Sequence, residues 1–400
     1  MNNSRLEKIK IEPIQSLPAN FICGMDASEV LAEEKSGVKY HAFDGTEQDV
    51  FKTMSEAGIN YIRLRIWNDP YDEKGHGYGG ANADLPTAIE LGKRATENGM
   101  KVCIDFHYSD FWADPNRQLA PKAWENMSAD EKADEIYKFT KNGLKQILDA
   151  GVDVGMVQVG NEINNGMSGE TEPVTVNCML KKGCCAVREI ADEYNKNIQL
   201  ALHYTLIKDA AGIDKIAAQL KKDDVDYDIF GMSYYPMWDG TNENMQSVAR
   251  NIIENYGKKV IIAETSYCFT TDSGDGFKNA FAGDENLVEG YTASVQGQAS
   301  IFRDVCEAAN AAGVIGVFYW GGTWVPVQEY DPDRTDAADI LASNQEKWEK
   351  YGSGWACKCV GGYDGFSKNY GGSEWNNQAM FDFGGYPLES LKVFRYMKGK

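Results

Sequence analysis

The sequence has no run approaching the ~18 consecutive apolar residues of a membrane-spanning helix. Its first residues, MNNSRLEKIKIEPIQ, carry no apolar leader core, so the chain is expected to be soluble, either cytoplasmic or already processed. Positive charge is in short supply. Forty Lys and Arg against sixty Asp and Glu leave a formal charge of -20, which repels nucleic acid phosphates and anionic membrane surfaces. A neutral substrate fits better. The nine cysteines form no disulfide framework: Cys178, Cys184 and Cys185 cluster, Cys357 and Cys359 make a second group, and the rest stand alone. Cys357-Lys-Cys359 has one intervening residue, no matching second pair and no nearby His, so incidental thiols are expected rather than zinc. No G-x-G-x-x-G follows the first apolar run and no P-loop occurs, which weakens a nucleotide-binding doubly wound sheet. Without a Pro- or Ser-rich linker or an internal repeat, residues 1–400 read as one domain with 1–17 as an N-terminal extension.

Aromatic residues are plentiful, at 12% with 9 Trp and 21 Tyr, a surplus that suits flat platforms for ligands such as sugar rings. Eight short apolar runs recur along the chain: 21–25, 61–67, 101–107, 156–160, 199–203, 229–233, 259–263 and 315–320. Periodic, charge-rich segments of helical length separate them, at 47–56, 85–98, 129–149, 186–195, 213–222, 242–256 and 291–311. Gly or Asn follows several, as in Ala57-Gly58 and Asn98-Gly99, which suits helix C-terminal caps. Strand and helix alternating eight times predict an α/β fold, a single (β/α)8 TIM barrel. The residues beyond ~250 then fall in loops, chiefly 266–290 after strand seven and 321–377 after strand eight. These loops carry Trp324, Trp355 and Trp375. The amphipathic segment 387–397 is expected to close the barrel as its last helix.

Two carboxylates end apolar strands: Glu162 after Val157-Gln158-Val159-Gly160-Asn161, and Glu264 after Val260-Ile261-Ile262-Ala263. Strands four and seven lie nearly across a barrel, so both side chains can flank one sugar bond. Glycoside hydrolysis needs such a pair, because the leaving oxygen must be protonated while a nucleophile or water meets the developing oxocarbenium carbon. Residues two apart on a strand share a face, so Arg63, Arg65 and Trp67 point into the barrel and Ile62, Leu64 and Ile66 face the helices. Arg65, nearer the strand end, is expected to hold Glu264 ionised, with Arg63 a layer deeper. His107 and Asp105 share the inward face of strand three. One of Tyr234 and Tyr235 must point inward, and a phenol there can donate to the nucleophile. His203 on strand five is a similar candidate. Trp112, Trp238, Trp320 and Trp324 sit at or beyond strand ends, where an indole can stack on a sugar, and Asp110, Asp114 and Asn161 can hold hydroxyls.

Asn161-Glu162 on strand four with Glu264 on strand seven resembles the retaining barrel glycosidases of clan A. The segments Tyr61-Ile62-Arg63-Leu64-Arg65-Ile66-Trp67-Asn68-Asp69-Pro70, Asp105-Phe106-His107-Tyr108-Ser109-Asp110-Phe111-Trp112 and Gly160-Asn161-Glu162-Ile163-Asn164 are similar to glycoside hydrolase family 53, the endo-β-1,4-galactanases. The likeness continues through Gly24-Met25-Asp26-Ala27-Ser28, Gly231-Met232-Ser233-Tyr234-Tyr235-Pro236, Ala263-Glu264-Thr265, Phe318-Tyr319-Trp320 and Asn377-Gln378-Ala379-Met380-Phe381-Asp382. This resemblance implies that Glu162 is the acid/base and Glu264 the nucleophile. It also implies that the substrate is β-1,4-galactan of pectin side chains and favours Trp320, Asn161 and Asp110 as its contacts, beside Arg65, His107, Trp112, His203, Tyr235 and Trp324, which their positions on or beyond the strands place around it. Another β-1,4-glycan (mannan, glucan, xylan) is the rival substrate, and a non-catalytic carbohydrate-binding barrel the rival class.

The resemblance implies no cofactor for the chemistry. It implies a secreted monomer whose signal peptide is not in this chain, with a polysaccharide and neither nucleic acid nor membrane as partner. It also implies a structural Ca2+ held by Asp275, Asn279 and Asp382; the loop Asp272-Ser273-Gly274-Asp275-Gly276 alternates oxygen donors as calcium requires, without the Glu that completes an EF-hand. One departure stands out. Trp320-Gly321-Gly322-Thr323-Trp324 replaces the family's usual Trp-Glu-Pro-x-Trp, which bears on the nearby subsites and the chain length preferred.

Overall fold

In the computed structural model, described here for residues 8–283, 287–365 and 370–400, eight parallel strands close into a barrel in chain order. They are β1 (Ile22–Asp26), β2 (Tyr61–Ile66), β3 (Lys101–Phe106), β4 (Val154–Val159), β5 (Gln199–Tyr204), β6 (Ile229–Ser233), β7 (Lys259–Glu264) and β8 (Gly316–Tyr319). Each lies within two residues of its apolar run. The expected (β/α)8 barrel is therefore the fold. Residues 1–7 of the N-terminal extension, 284–286 of the loop after β7 and 366–369 of the loop after β8 lie outside the described residues.

The helices are α1 (Val30–Lys35), α2 (Val50–Ala57), α3 (Leu85–Glu97), α4 (Ala129–Asp149), α5 (Pro173–Glu193), α6 (Ala210–Lys222), α7 (Asn242–Tyr256), α8 (Val295–Ala311), α9 (Ala337–Tyr351) and two one-turn pieces, α10 (Gly361–Asp364) and α11 (Val393–Tyr396). Their ends follow local chemistry. Ser128 and Glu131 form a capping box on α4, Asp84 caps α3, and Gly58 and Gly257 take left-handed backbones that stop α2 and α7. Three expectations change. The fifth helix starts at Pro173, not Ala186, because Val176, Met179, Leu180 and Gly183 supply a buried face that the adjacent lysines obscure in the sequence. Helix α9 lies inside the loop after β8, anchored by buried Ile340 and Trp348. Segment 387–397 closes the barrel as a 3-10 turn, Glu389–Lys392, running into α11 rather than as one regular helix.

Alternation sorts the strand residues as expected. Ile62, Leu64 and Ile66 join the core between barrel and helices. Tyr61, Cys103, Met156, Ala201, Ile229, Ile261 and Phe318 fill the barrel interior. Phe318 lies so close to Gly24 that a β-carbon there would meet the ring at 2.1 Å. That apolar plug floors a polar layer above it, formed by Asp26, Arg63, Asp105, Gln158 and His203, all buried. No disulfide forms between the cysteines, and no helix among the described residues is long and apolar enough to cross a membrane.

Candidate active site

The C-terminal ends of the strands open into a cleft of about 590 Å³ whose lining includes Glu162 and Glu264. Glu264, the last residue of β7, is almost wholly buried. Arg63 Nη1 donates to its Oε1 at 2.9 Å and the Tyr235 hydroxyl donates to its Oε2 at 3.1 Å. The guanidinium is saturated: Nη1 also reaches Asp26 at 3.3 Å, Nη2 reaches Asp105 at 2.9 Å and Asn161 Oδ1 at 2.7 Å, and Nε donates to Gln158 at 3.1 Å. Tyr234 turns away and donates to the Gly240 carbonyl, so Tyr235 is the inward phenol.

Arg65 therefore does not make the contact expected of it; Arg63 does. The barrel register supplies the reason. Ile262 pairs with Val317, which carries Glu264 to the level of Tyr319, then to Met25 and Ile62. Arg63 is next to that level, and Arg65 stands two residues higher, ~6.6 Å along the strand. Arg65 instead donates from Nη2 to the Gly80 carbonyl at 2.8 Å, lies 3.5 Å from Asp26 and sits 4.3 Å from the Trp112 ring centre.

Glu162 follows β4 with φ at +46°, a left-handed backbone that costs a non-glycine residue ~1–3 kcal/mol. Gln118 Nε2 pins the segment by donating to the Asn161 and Glu162 carbonyls at 2.9 and 3.3 Å. Ser233 Oγ donates to Glu162 Oε1 at 2.6 Å, and His203 Nε2 lies 2.9 Å from that hydroxyl. His203 Nδ1 faces Asn161 Oδ1 at 2.8 Å, and burial holds the ring well below the usual histidine range, hence neutral. Burial, then the Glu264 charge, push the Glu162 carboxyl up to about 8. Burial also raises Glu264, but Arg63 opposes that rise. The two carboxyls thus sit in different surroundings, one beside a cation and a phenol, the other beside a serine hydroxyl.

The cleft walls are aromatic. Trp112, Trp320, Trp355 and Trp375 line one side, with Trp112 stacked on Trp355 at 4.6 Å and Trp320 edge-on to Trp375 at 4.8 Å. Trp238, Asp114, Asn161 and His107 also line the cleft. His107 is held by Asp105 at 2.9 Å and receives the Trp67 indole proton at 3.1 Å. His203 stands behind the lining. Two more expected contacts are displaced. Trp324 is fully buried behind the wall, donating to the Ser353 carbonyl, because Gly321 adopts φ +67° and Gly322 packs its Cα against Met25, turning the chain inward. Asp110 is also buried, accepting from Lys122 Nζ at 2.8 Å and the Asp69 amide at 2.9 Å, and it braces a loop rather than the cleft. Sequence reasoning missed Ser233, Gln158 and Thr205, whose inward positions on or just beyond their strands were the available signal, and Leu206, for which there was none.

The three residues expected to hold calcium each accept hydrogen bonds from protein donors. Asp275 accepts from the Phe277 amide, Ser273 and the Ser373 amide, Asn279 Oδ1 accepts from Asn376, and Asp382 Oδ1 accepts from the Gly384 and Tyr386 amides. Those oxygens are already engaged by protein donors. No group of three or more His, Cys, Asp or Glu among the described residues gathers as a metal site.

The glycosyl hydrolase family 53 profile matches residues 22–394. An endo-β-1,4-galactanase of Bacillus subtilis (strain 168) is 48% identical over 98% of this chain and 89% of its own length. An arabinogalactan endo-β-1,4-galactanase of Cellvibrio japonicus is 31% identical over 76% of this chain and 81% of its own. Among solved structures, the Ignisphaera aggregans GH53 catalytic domain superposes with a TM-score of 0.85 at 38% identity, covering 97% of this chain and 99% of that one. With two carboxylates facing one cleft at the C-terminal end of a (β/α)8 barrel, and with these relatives, the chain belongs to glycosyl hydrolase family 53 and is a glycoside hydrolase.

Proposed function

We propose that the enzyme is a retaining endo-β-1,4-galactanase acting on the galactan side chains of pectin. The observation that carries the mechanism is the contrast between the carboxyls: Glu264 is held as a carboxylate by Arg63 and Tyr235, whereas burial keeps a proton on Glu162. Glu264 Oε2 attacks the anomeric carbon while Glu162 gives its proton to the departing glycosidic oxygen, breaking the C–O bond. As the bond to carbon forms, the charge leaves Glu264 and with it the repulsion that raised Glu162. The Glu162 carboxylate then takes a proton from water, whose oxygen displaces Glu264 and releases a sugar of retained configuration. No cofactor enters these steps. A retaining mechanism expects the carboxyls ~5–5.5 Å apart.

The substrate assignment rests on the galactanase names of the relatives and on the indole-lined cleft. A polymer too large to import implies that the enzyme acts outside the cell, as a monomer folded as one catalytic domain. Product analysis tests the reading: release of β-configured galactooligosaccharides from potato or lupin galactan is expected. Release from mannan, xylan or β-glucan with none from galactan would overturn the substrate.

A further inference from the structure

Among the described residues, Val174, Leu206 and Trp238 are the large apolar side chains left substantially exposed, and two of the three line the cleft. Leu206 is 50% exposed and Trp238 43%. Leu206 also adopts φ +59°, a left-handed backbone unusual for a branched apolar residue. An apolar side chain held in water on a strained backbone points to a ligand that covers it.

The loops carrying these residues are built as one unit. Asn164 clamps Thr205 on both sides, its Nδ2 donating to the Thr205 carbonyl at 2.7 Å and its Oδ1 accepting from the Thr205 amide at 2.8 Å. The Asp209 amide closes the turn onto the Leu206 carbonyl at 3.0 Å. Asn244, in the first turn of α7, donates to both the Ile207 carbonyl at 3.1 Å and the Asp239 carbonyl at 3.2 Å, tying the residue after Leu206 to the residue after Trp238. Trp238 is further steadied against the Tyr235 ring at 5.3 Å.

Topology says which part of the substrate lies there. In the closed order β1 to β8, a line from Glu162 on β4 to Glu264 on β7 leaves β5 and β6 on one side and β8, β1, β2 and β3 on the other. By the loops that carry them, Trp112, Trp320 and Trp355 belong to the larger side and Leu206 and Trp238 to the smaller, while Trp375 reaches across to meet Trp238 edge-on at 6.1 Å where the two walls join. A chain cut between the two carboxyls must cross that line, so the two walls hold opposite sides of the scissile bond. We infer that Leu206 and Trp238 form the platform for the leaving-group galactose, stacking on its apolar face, while Trp112, Trp320 and Trp355 hold the portion that becomes bound to Glu264. This deepens the galactanase reading and rests on it.

The test compares galactan with β-galactobiosyl fluoride, whose leaving group is a single atom, using Leu206→Gly, Leu206→Ser and Trp238→Ala. Leu206→Gly removes the side chain while relieving the left-handed backbone, so its Tm should hold or rise. The ratio of kcat/KM on galactan to kcat/KM on the fluoride should fall about tenfold in each variant, and transfer of the galactobiosyl group to added galactobiose should fall in favour of hydrolysis. An equal loss on both substrates would move the platform to the other side of the bond, and no loss on either would remove it; both overturn the proposal. Wild-type enzyme that consumes the fluoride but leaves galactan intact would overturn the galactanase reading itself, and this occupant with it.

Discussion

Arg63 Nη1 lies 2.9 Å from Glu264 Oε1, with both side chains buried, and the same guanidinium also meets Asp26 and Asp105. One cation thus serves three carboxylates in the barrel interior. Removing it leaves buried charge without compensation, which costs ~3–5 kcal/mol, and removes the group that opposes the rise in the Glu264 pKa. Arg63→Met is expected to lower kcat on galactan by ~10²-fold or more, the scale of losing one preorganised donor, and to move the acid limb of the rate profile to higher pH. The pH dependence of kcat/KM, with Tm alongside, checks both effects.

The roles of the two carboxyls separate by azide rescue. If Glu162 is the proton donor proposed here, galactan should resist Glu162→Ala while an activated aryl galactobioside still forms the glycosyl-enzyme, and azide should release β-galactosyl azide. Glu264→Ala opens space on the opposite face and should give the α-azide. Product stereochemistry by NMR decides, and the reverse pairing would exchange the roles.

Ser233 would tune the acid proposed at Glu162. Its hydroxyl donates to Glu162, which favours the carboxylate and lowers the pKa that burial raises. Activity needs the protonated acid, so it should fall as pH rises through about 8 in the wild type. Ser233→Ala should shift this alkaline limb upward; a downward shift would contradict the assigned direction of the bond.

Glu33 is an acid that the mechanism does not use. It is fully buried, neither carboxyl oxygen has a hydrogen-bond partner, and burial followed by the Glu29 charge raise its pKa well above the ordinary value. Because the folded-state pKa is raised, the stability tied to this group is complete below its unfolded value of ~4.3 and is lost as pH climbs towards the folded value. Glu33→Gln is expected to gain Tm over the wild type progressively between pH 5 and 9. Differential scanning calorimetry across that range reads the trend, and a gap that narrows with pH would contradict it.

The strands, the order of the barrel and the pair Glu162 and Glu264 were legible because they depend on local pattern: apolar runs of strand length, caps at helix ends, and a carboxylate at a strand terminus. Tyr235 was legible for the same reason, since alternation sends one of two adjacent tyrosines inward. Helix α9 was hidden because its buried face is only Ile340, Asn344 and Trp348 within a polar segment, and those positions acquire an apolar surface to cover only when the loop after β8 folds over the barrel.

What the sequence determined by itself was which residues face inward, because the period of a strand is local. What only the tertiary structure decided was their height. Arg63 rather than Arg65 reaches Glu264 because strand pairing around the barrel sets which layers meet, and no spacing within β2 records that register. Trp324 left the cleft wall, and Trp355 and Trp375 entered it, for a related reason. The Gly321-Gly322 turn and the packing of a long loop determine where an indole lies, and those are contacts between segments far apart in the chain.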